Sequence, residues 1–254
     1  IRLMAVLFQQ RYNLSHINII SILCACIVPL LITGPFLPDL IVSSLSIWFI
    51  IYTFKNKIYS VYQNKYFIFF ILFCFICIIS SLFSSEVLFS LKTSMTYFRI
   101  GVFALLISYL IDKNRKVLNY FYYAFLITYP TLIIDGYFQY FTGANLFGYK
   151  IVGIRVSSFF GSELILGSYL TRLFPLLFAL FVIRKNKSKI EIIGMSLLFI
   201  LIDILIFLAG ERTAFVLLNL STFFVILFIN KYKWLRLGIF IISIIFIAII
   251  TSNN

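Results

Sequence analysis

Long apolar runs take up most of the sequence, and short segments rich in Lys and Arg separate them. A helix needs about 20 mostly apolar residues to cross a bilayer. Nine runs approach this length, at residues 17–33, 37–54, 66–83, 93–111, 117–134, 159–183, 190–208, 213–229 and 237–250. Only 11% of the residues are charged, against about 25% in a soluble domain. The sequence therefore predicts an all-α, polytopic transmembrane helix bundle of about nine spans.

Positive charge lies mainly on one side of this nine-span arrangement. The net charge of +13 does not indicate a nucleic-acid partner, because the cations lie in clusters between apolar runs. Lys and Arg are enriched in cytoplasmic loops. We therefore expect the N-terminus to lie inside, on the side that carries Arg2, Arg11, Lys55, Lys57, Lys65, Lys113, Arg115, Lys116, Arg184, Lys185, Lys187, Lys189, Lys231, Lys233 and Arg236. The other side carries Lys92, Arg99, Lys150, Arg155, Arg172 and Arg212.

One stretch, residues 135–175, mixes Gly, Ser, aromatic and charged residues, and we call it the central stretch. A short segment of similar composition, which we call its echo, follows at 210–212. The rest of the chain is apolar helix with basic connections. An ionisable group at the centre of a membrane helix costs at least about 2.5–3.5 kcal/mol, so it is usually paired or functional. We expect the chemistry of the protein in this stretch, on the outer side.

Three arginines accompany the stretch and its echo: Arg155, Arg172 and Arg212. The planar guanidinium matches phosphate oxygens in a bidentate manner, so three of them suit the diphosphate of a membrane-borne substrate. The alternative is that each arginine pairs with an acid. The candidate pairs are Arg212 with Glu211 or Asp203, and Arg172 with Glu163 or Asp135.

Glu163 and Glu211 are candidate substrate-binding residues. Either carboxylate could act as a general base if burial raised its pKa, and helix capping or ion pairing is an equally open alternative. Asp203, in the middle of the seventh run, is expected to be a buried partner within the bundle. The one histidine, His16, lies at the inner edge of the first run and is interpreted as an interface residue.

The four cysteines, Cys24, Cys26, Cys74 and Cys77, all lie within apolar runs. Cys74 and Cys77 share a helix face, but no His or further Cys joins them to complete a metal site. We interpret all four as packing residues. The sequence therefore predicts neither a metal nor a cofactor.

Short motifs in and after the stretch resemble the O-antigen ligase and O-antigen polymerase superfamily of bacterial envelopes. They are GIRVSSFFGSE at 153–163, GSYL at 167–170, Pro175 and LAGERTA at 208–214. The segment DGYFQY at 135–140, followed by Thr142 and Gly143, is similar to a Gln-containing segment of the family. Ala209 stands where the family usually has Ser or Thr. The resemblance covers roughly residues 84–220.

This resemblance implies a metal-independent glycosyltransferase of the bacterial inner membrane. Such an enzyme takes a glycan from undecaprenyl diphosphate and joins it, on the periplasmic face, to lipid A-core or to a growing polysaccharide. Arg155 and Arg212 match positions that the family uses near the diphosphate, and we take them as the catalytic candidates. Arg172, Glu163 and Glu211 are the substrate-binding candidates.

The family also has a large periplasmic loop with a functionally important His, which would follow the ninth span. We therefore expect residues 1–254 to be a single transmembrane domain, truncated before that loop and inactive by itself. The alternative function is a transporter or flippase of lipid-linked oligosaccharide. Transporters often contain internal repeats with interrupted helices, and this sequence has no second copy of the central stretch.

Overall fold

The computed structural model describes residues 17–252. All the longer elements of this part are helices: α1 (Ile17–Thr33), α2 (Phe36–Lys55), α3 (Lys65–Leu82), α4 (Val87–Thr96), α5 (Phe98–Lys113), α6 (Lys116–Thr142), α7 (Leu166–Ile183), α8 (Lys189–Leu208), α9 (Arg212–Phe228) and α10 (Lys233–Ser252). Short 3-10 turns end α1 and occupy Tyr59–Gln63 and Ser158–Phe160. The predicted all-helical class is confirmed for the described residues.

Seven helical segments in this part of the chain are long and apolar enough to cross a membrane. They are α2, α3, the α4–α5 pair, α6, α7, α8 and α10, while α1 and α9 are shorter apolar helices. These helices indicate a membrane protein. The count of nine spans and the inside position of the N-terminus stay predictions, and Arg2, Arg11 and His16 lie outside the described residues.

Two predicted helix ends beside the central stretch are wrong. The fifth run was expected to end at Ile134, but α6 continues to Thr142. The sixth was expected to begin at Phe159, but α7 begins at Leu166. Ser158 and Gly161 have positive φ angles of 51° and 61°, which a right-handed helix does not contain. The connection between the two helices, called the central connection below, therefore covers residues 143–165.

Two other helices begin earlier than expected. The fourth run was expected at 93–111, whereas helix starts at Val87 and is interrupted at Tyr97, between α4 and α5. The ninth was expected to begin at Leu237, whereas α10 begins at Lys233. Arg236 is therefore a helix residue with no exposed surface, and its assignment to a basic loop is wrong.

The chain divides into two compact units, one up to Phe121 and one from Tyr122. The expectation of a single domain stays a prediction. In the first unit α2 packs against α5, and α3 packs against α4. Its core contains Cys24, Phe49, Leu106 and Leu110, which are all at most 1% exposed.

In the second unit α7 packs against α8 and α9, and α10 packs against the same two helices. An aromatic cluster joins α7 to α8. The ring of Phe199 lies 5.4 Å from Phe174, 5.6 Å from Phe178 and 5.9 Å from Phe181 between centroids. The three α7 residues are spaced four and three apart, so they line one face of that helix. This cluster fixes α7, which begins at the central connection.

Candidate functional site

A buried carboxylate in α6 holds the central connection in place. Asp135 has no exposed surface, and its Oδ1 accepts the N–H of Leu146 at 2.9 Å. Its Oδ2 accepts the hydroxyl of Ser158 at 2.6 Å and the amide of Asn145 at 3.4 Å. Asp135 therefore contacts the connection at two places, near its start and at the 3-10 turn that begins at Ser158.

Gln139, one helical turn after Asp135, fixes the same connection from the same face of α6. Its Oε1 accepts the N–H groups of Ser157 at 2.9 Å and Ser158 at 2.7 Å, and its Nε2 donates to the carbonyl of Tyr149 at 3.1 Å. These bonds hold Ser158 in its left-handed conformation. A buried polar network whose members are all satisfied makes a segment rigid.

The sequence predicts a site in this region but not the hydrogen bonds that Asp135 and Gln139 make to the connection. The available signal was their spacing. Two polar residues four apart, in an otherwise apolar run, fall on one helix face. Such a pair indicates a buried polar contact rather than the end of a helix.

The predicted catalytic residue Arg155 lies against the turn between α8 and α9. Its Nε donates to the carbonyl of Ala209 at 3.0 Å, and its Nη2 donates to the carbonyl of Leu164 at 3.3 Å. Gly210 closes α8 with a φ of +67°, and a Cβ there would lie 2.7 Å from Cγ of Arg155. Glycine is therefore required twice, for the turn and for the approach of Arg155. The structure brings the central stretch and its echo together at this point.

Glu211, in the same turn, caps the N-terminal end of α7. Its Oε1 accepts the N–H of Ser168 at 3.1 Å, and its Oε2 accepts the Ser168 hydroxyl. A carboxylate at the N-terminus of a helix stabilises it by about 0.3–1 kcal/mol through the helix dipole. Gly167 permits this contact, because a Cβ there would lie 3.1 Å from Oε1 of Glu211. Of the roles considered for Glu211, the geometry favours capping, although it caps α7 rather than its own helix.

The other predicted site residues are exposed and carry no ion pair. Within residues 17–252 the ion pairs are Arg99–Asp39, Arg184–Glu191 and Arg236–Asp203. Arg155, Arg172 and Arg212 take part in none of them, so the pairings considered for these arginines do not form. Arg172 and Arg212 are exposed, and Glu163 lies exposed in the connection before α7.

Asp203 is a buried partner within the bundle, as predicted, but its partner is Arg236 of α10. The two groups form a bidentate pair, with Nη1–Oδ2 at 2.7 Å and Nη2–Oδ1 at 3.1 Å. Thr222 accepts a further bond from Nη2 of Arg236 at 2.6 Å, and the ring centroid of Phe174 lies 4.5 Å from its guanidinium carbon. The charges of this pair are satisfied within the helices.

An apolar groove of about 460 Å³ runs between α7 and α9, with Arg172 among its lining residues. The rest of the lining is mainly apolar: Pro175, Leu217, Leu220, Phe224, Val225, Phe228 and Ile229, with Thr171 and Ser221. From Leu217 to Phe228, α9 rises by about 16 Å at 1.5 Å per residue. The groove therefore follows about three turns of α9, with a cation beside an apolar wall.

Within the described part of the chain, no three His, Cys, Asp or Glu side chains are grouped as metal ligands would be. The four cysteines are free thiols within α1 and α3. No family model matches the chain, and neither a curated protein nor a solved structure is significantly similar to it.

Proposed function

We propose that this protein is a membrane glycosyltransferase of the O-antigen ligase and polymerase type. In this proposal it takes a glycan from undecaprenyl diphosphate and joins it to lipid A-core or to a growing polysaccharide, on the periplasmic face of the bacterial inner membrane. The motif resemblance supplies the reaction class. The arrangement of arginines and apolar surface around α7 and α9 supports it.

The observation that carries the proposal is the set of cations without an anionic partner. Arg172 and Arg212 are exposed and form no ion pair within residues 17–252, and Arg155 is fixed by backbone carbonyls alone. Carbonyl bonds leave the charge of Arg155 uncompensated. An unpaired ionisable group in a membrane protein is a functional candidate. A diphosphate would supply the missing negative charge.

The groove between α7 and α9 supports a lipid-linked ligand rather than a free diphosphate. Its walls are apolar, and Arg172 lies on α7 one turn after Ser168. A ligand that fills such a groove has an apolar tail and an anionic head, as a polyprenyl diphosphate does. The tail would pack along Leu217, Phe224 and Phe228, and the phosphates would meet the arginines.

In the reaction an acceptor hydroxyl attacks the anomeric carbon of the glycan. The new glycosidic bond forms as the bond to the diphosphate oxygen breaks, and the hydroxyl proton passes to a base. Negative charge grows on the leaving diphosphate, and prearranged cations lower the barrier by stabilising it. Arg155, Arg172 and Arg212 are assigned this role. The carboxylate of Glu163 remains available to bind the acceptor, whereas that of Glu211 is engaged by Ser168.

Binding of the leaving lipid tests this assignment. We would measure the affinity of the purified chain in lipid nanodiscs for undecaprenyl diphosphate, undecaprenyl phosphate and undecaprenol. We expect affinity to fall in that order, and Arg172→Ala or Arg212→Ala to weaken diphosphate binding about tenfold, or ~1.4 kcal/mol. Lys150→Ala is the matched control, because Lys150 is an exposed cation of the same connection.

Two results would contradict the proposal. Equal affinity for the three lipids would remove the role of the arginines in binding phosphate. Movement of a labelled lipid-linked glycan between leaflets of a vesicle, with no transfer to an acceptor, would indicate a flippase instead. Loss of diphosphate binding in Arg155→Ala that Lys150→Ala does not share would support the proposed role of Arg155.

A further inference from the structure

Two basic connections meet at one end of the second unit. The first joins α7 to α8 and contains Lys187, and the second joins α9 to α10 and contains Tyr232. The ammonium of Lys187 lies 4.8 Å from the ring centroid of Tyr232, and the ring of Phe181 lies 5.2 Å from the same ring. The ammonium of Lys231 lies over that ring as well, at 5.6 Å. The cations of both connections therefore gather around one aromatic side chain.

The backbone around this cluster is held in uncommon conformations. Tyr232 has a φ of +62° and Asn186 a φ of +54°. Asparagine tolerates the left-handed region, but an aromatic residue adopts it at a cost that the surrounding structure must offset. Here the strained turn presents the Tyr232 ring to Phe181 and Lys187. The cluster is thus a fixed arrangement and more than a run of charges.

Lys187 is held within this arrangement and lies near like charges. Its ammonium donates to the carbonyls of Arg184 at 2.5 Å and Val182 at 3.4 Å, and it lies 4.9 Å from the ring centroid of Phe181. Burial and the nearby positive charges of Lys231 and Arg184 lower the pKa of Lys187, against the opposing effect of Glu191. Lys187 is therefore a partly buried cation with like charges beside it.

The acid of this end is already engaged. Glu191 pairs with Nε of Arg184 at 3.4 Å and accepts the hydroxyl of Tyr122 at 3.1 Å. The cations of the two connections and of the adjoining helix ends outnumber this one acid: they are Arg184, Lys185, Lys187, Lys189, Lys231 and Lys233. The excess positive charge would be neutralised by an anion from outside the chain.

Aromatic residues indicate the depth at which that anion would lie. Tyr and Trp are enriched at the level of the lipid headgroups. Trp234 is 73% exposed beside this cluster in sequence, and the guanidinium carbon of Arg184 lies 4.9 Å from the Tyr122 ring centroid and 5.8 Å from that of Tyr123. The cations thus lie at the end of apolar helices, together with side chains typical of the headgroup region.

We propose that this end of the second unit binds the phosphate headgroup of an anionic phospholipid, with Arg184, Lys187 and Lys231 as its cationic contacts. Clusters of Lys and Arg at the cytoplasmic ends of membrane helices are suited to such headgroups. The site is separate in its residues from the arginines assigned to the diphosphate, and it does not rest on the proposed function. If these cations only set the orientation of the chain in the membrane, their charge would be sufficient. Binding of a lipid headgroup also requires the arrangement of the cations around Tyr232.

Native mass spectrometry of the full chain in detergent would test this site. The probes are tetraoleoyl cardiolipin, dioleoyl phosphatidylglycerol and dioleoyl phosphatidylcholine. We expect the two anionic lipids to be retained, and the double variant K187Q/K231Q to lower their retention about tenfold. The matched control is K113Q/K116Q, which removes two exposed cations at the facing ends of α5 and α6.

Several outcomes would overturn the proposal: equal loss in the control variant, equal retention of phosphatidylcholine, or displacement of the lipid by millimolar inorganic phosphate. The last result would mean that the site takes phosphate from water. If K187Q/K231Q failed to fold, the single variant Lys231→Gln decides the matter, because Lys231 is exposed. Unchanged retention in that variant would then count against the site.

Discussion

At the scale of single residues, the burial of the cation Arg236 depends on its ion pair with Asp203. It has no exposed surface, and Asp203 and Thr222 satisfy its guanidinium. Arg236→Met would leave Asp203 buried and unpaired, so we expect it to lower the free energy of unfolding by about 3–5 kcal/mol. The double variant Asp203→Leu/Arg236→Met should recover most of this loss. Unfolding in mixed micelles with increasing denaturing detergent would measure both.

Lys231→Met serves as the control, because it removes an exposed cation near the same helix end. It should change the unfolding free energy by less than about 0.5 kcal/mol, as surface substitutions usually do. A double variant as unstable as Arg236→Met alone would show that the ion pair is not what the single change disrupts.

The sequence predicts the burial of Asp203 but not the burial of its partner Arg236. An acid in the middle of an apolar run must find a partner, which makes the burial of Asp203 predictable. Arg236 closely follows Lys231 and Lys233, and a basic group at a helix end is typical of an orientation signal. Its pairing with a residue 33 positions earlier is a tertiary contact that no local pattern contains.

At the scale of elements, the turn between α8 and α9 positions Arg155. Gly210→Ala would place a Cβ 2.7 Å from Cγ of Arg155, at a φ of +67°. We expect this change to displace the arginine, to lower stability by about 1–2 kcal/mol because of the left-handed backbone, and to weaken undecaprenyl diphosphate binding about tenfold. Titration in nanodiscs and thermal unfolding would measure the two effects separately.

Gly153→Ala is the matched control for that variant. Gly153 has a nearly equal φ of +65°, but a Cβ there would meet nothing within 4 Å. It should lose similar stability and keep its affinity for the lipid. If the two variants weakened binding equally, the contact between Gly210 and Arg155 would have no part in it.

Helix ends beside the site were the least predictable part of the fold. The α8 and α9 boundaries follow from their apolar runs and from Gly210. The end of α6 does not, because Asp135 and Gln139 are poor residues for a membrane helix until the connection folds back and supplies their partners. Likewise the apolar Phe159 and Phe160 predict a helix, whereas the left-handed Ser158 and Gly161 exclude it.

At the scale of the whole molecule, the distribution of Lys and Arg predicts opposite sides for the two ends of α7. In a version of the chain with its four cysteines replaced, Lys150→Cys should react with a membrane-impermeant thiol reagent in intact cells. Lys185→Cys should react only after the membrane is opened, because positive connections stay inside. The cysteine-free parent provides the background. Labelling of both positions in intact cells would contradict the predicted orientation.

Composition and run length were sufficient to predict a helical membrane protein, because both follow from the thickness and apolarity of a bilayer. The number of spans follows less directly from composition and run length. α1 and α9 are shorter apolar helices, and the segment from Val87 to Lys113 is interrupted at Tyr97. The place where a lipid would bind, between α7 and α9, depends on packing that only the fold provides.

The most direct test of the account is to map where the lipid binds. An undecaprenyl diphosphate analogue with a diazirine in its isoprenoid tail would be cross-linked to the chain in nanodiscs, and the modified peptides identified by mass spectrometry. We expect adducts on groove residues of α7 and α9, such as Leu217 and Phe224. Excess undecaprenyl diphosphate should suppress these adducts, and Arg172→Ala should reduce them. Adducts spread evenly over the helices, or adducts that the unlabelled lipid does not suppress, would contradict it.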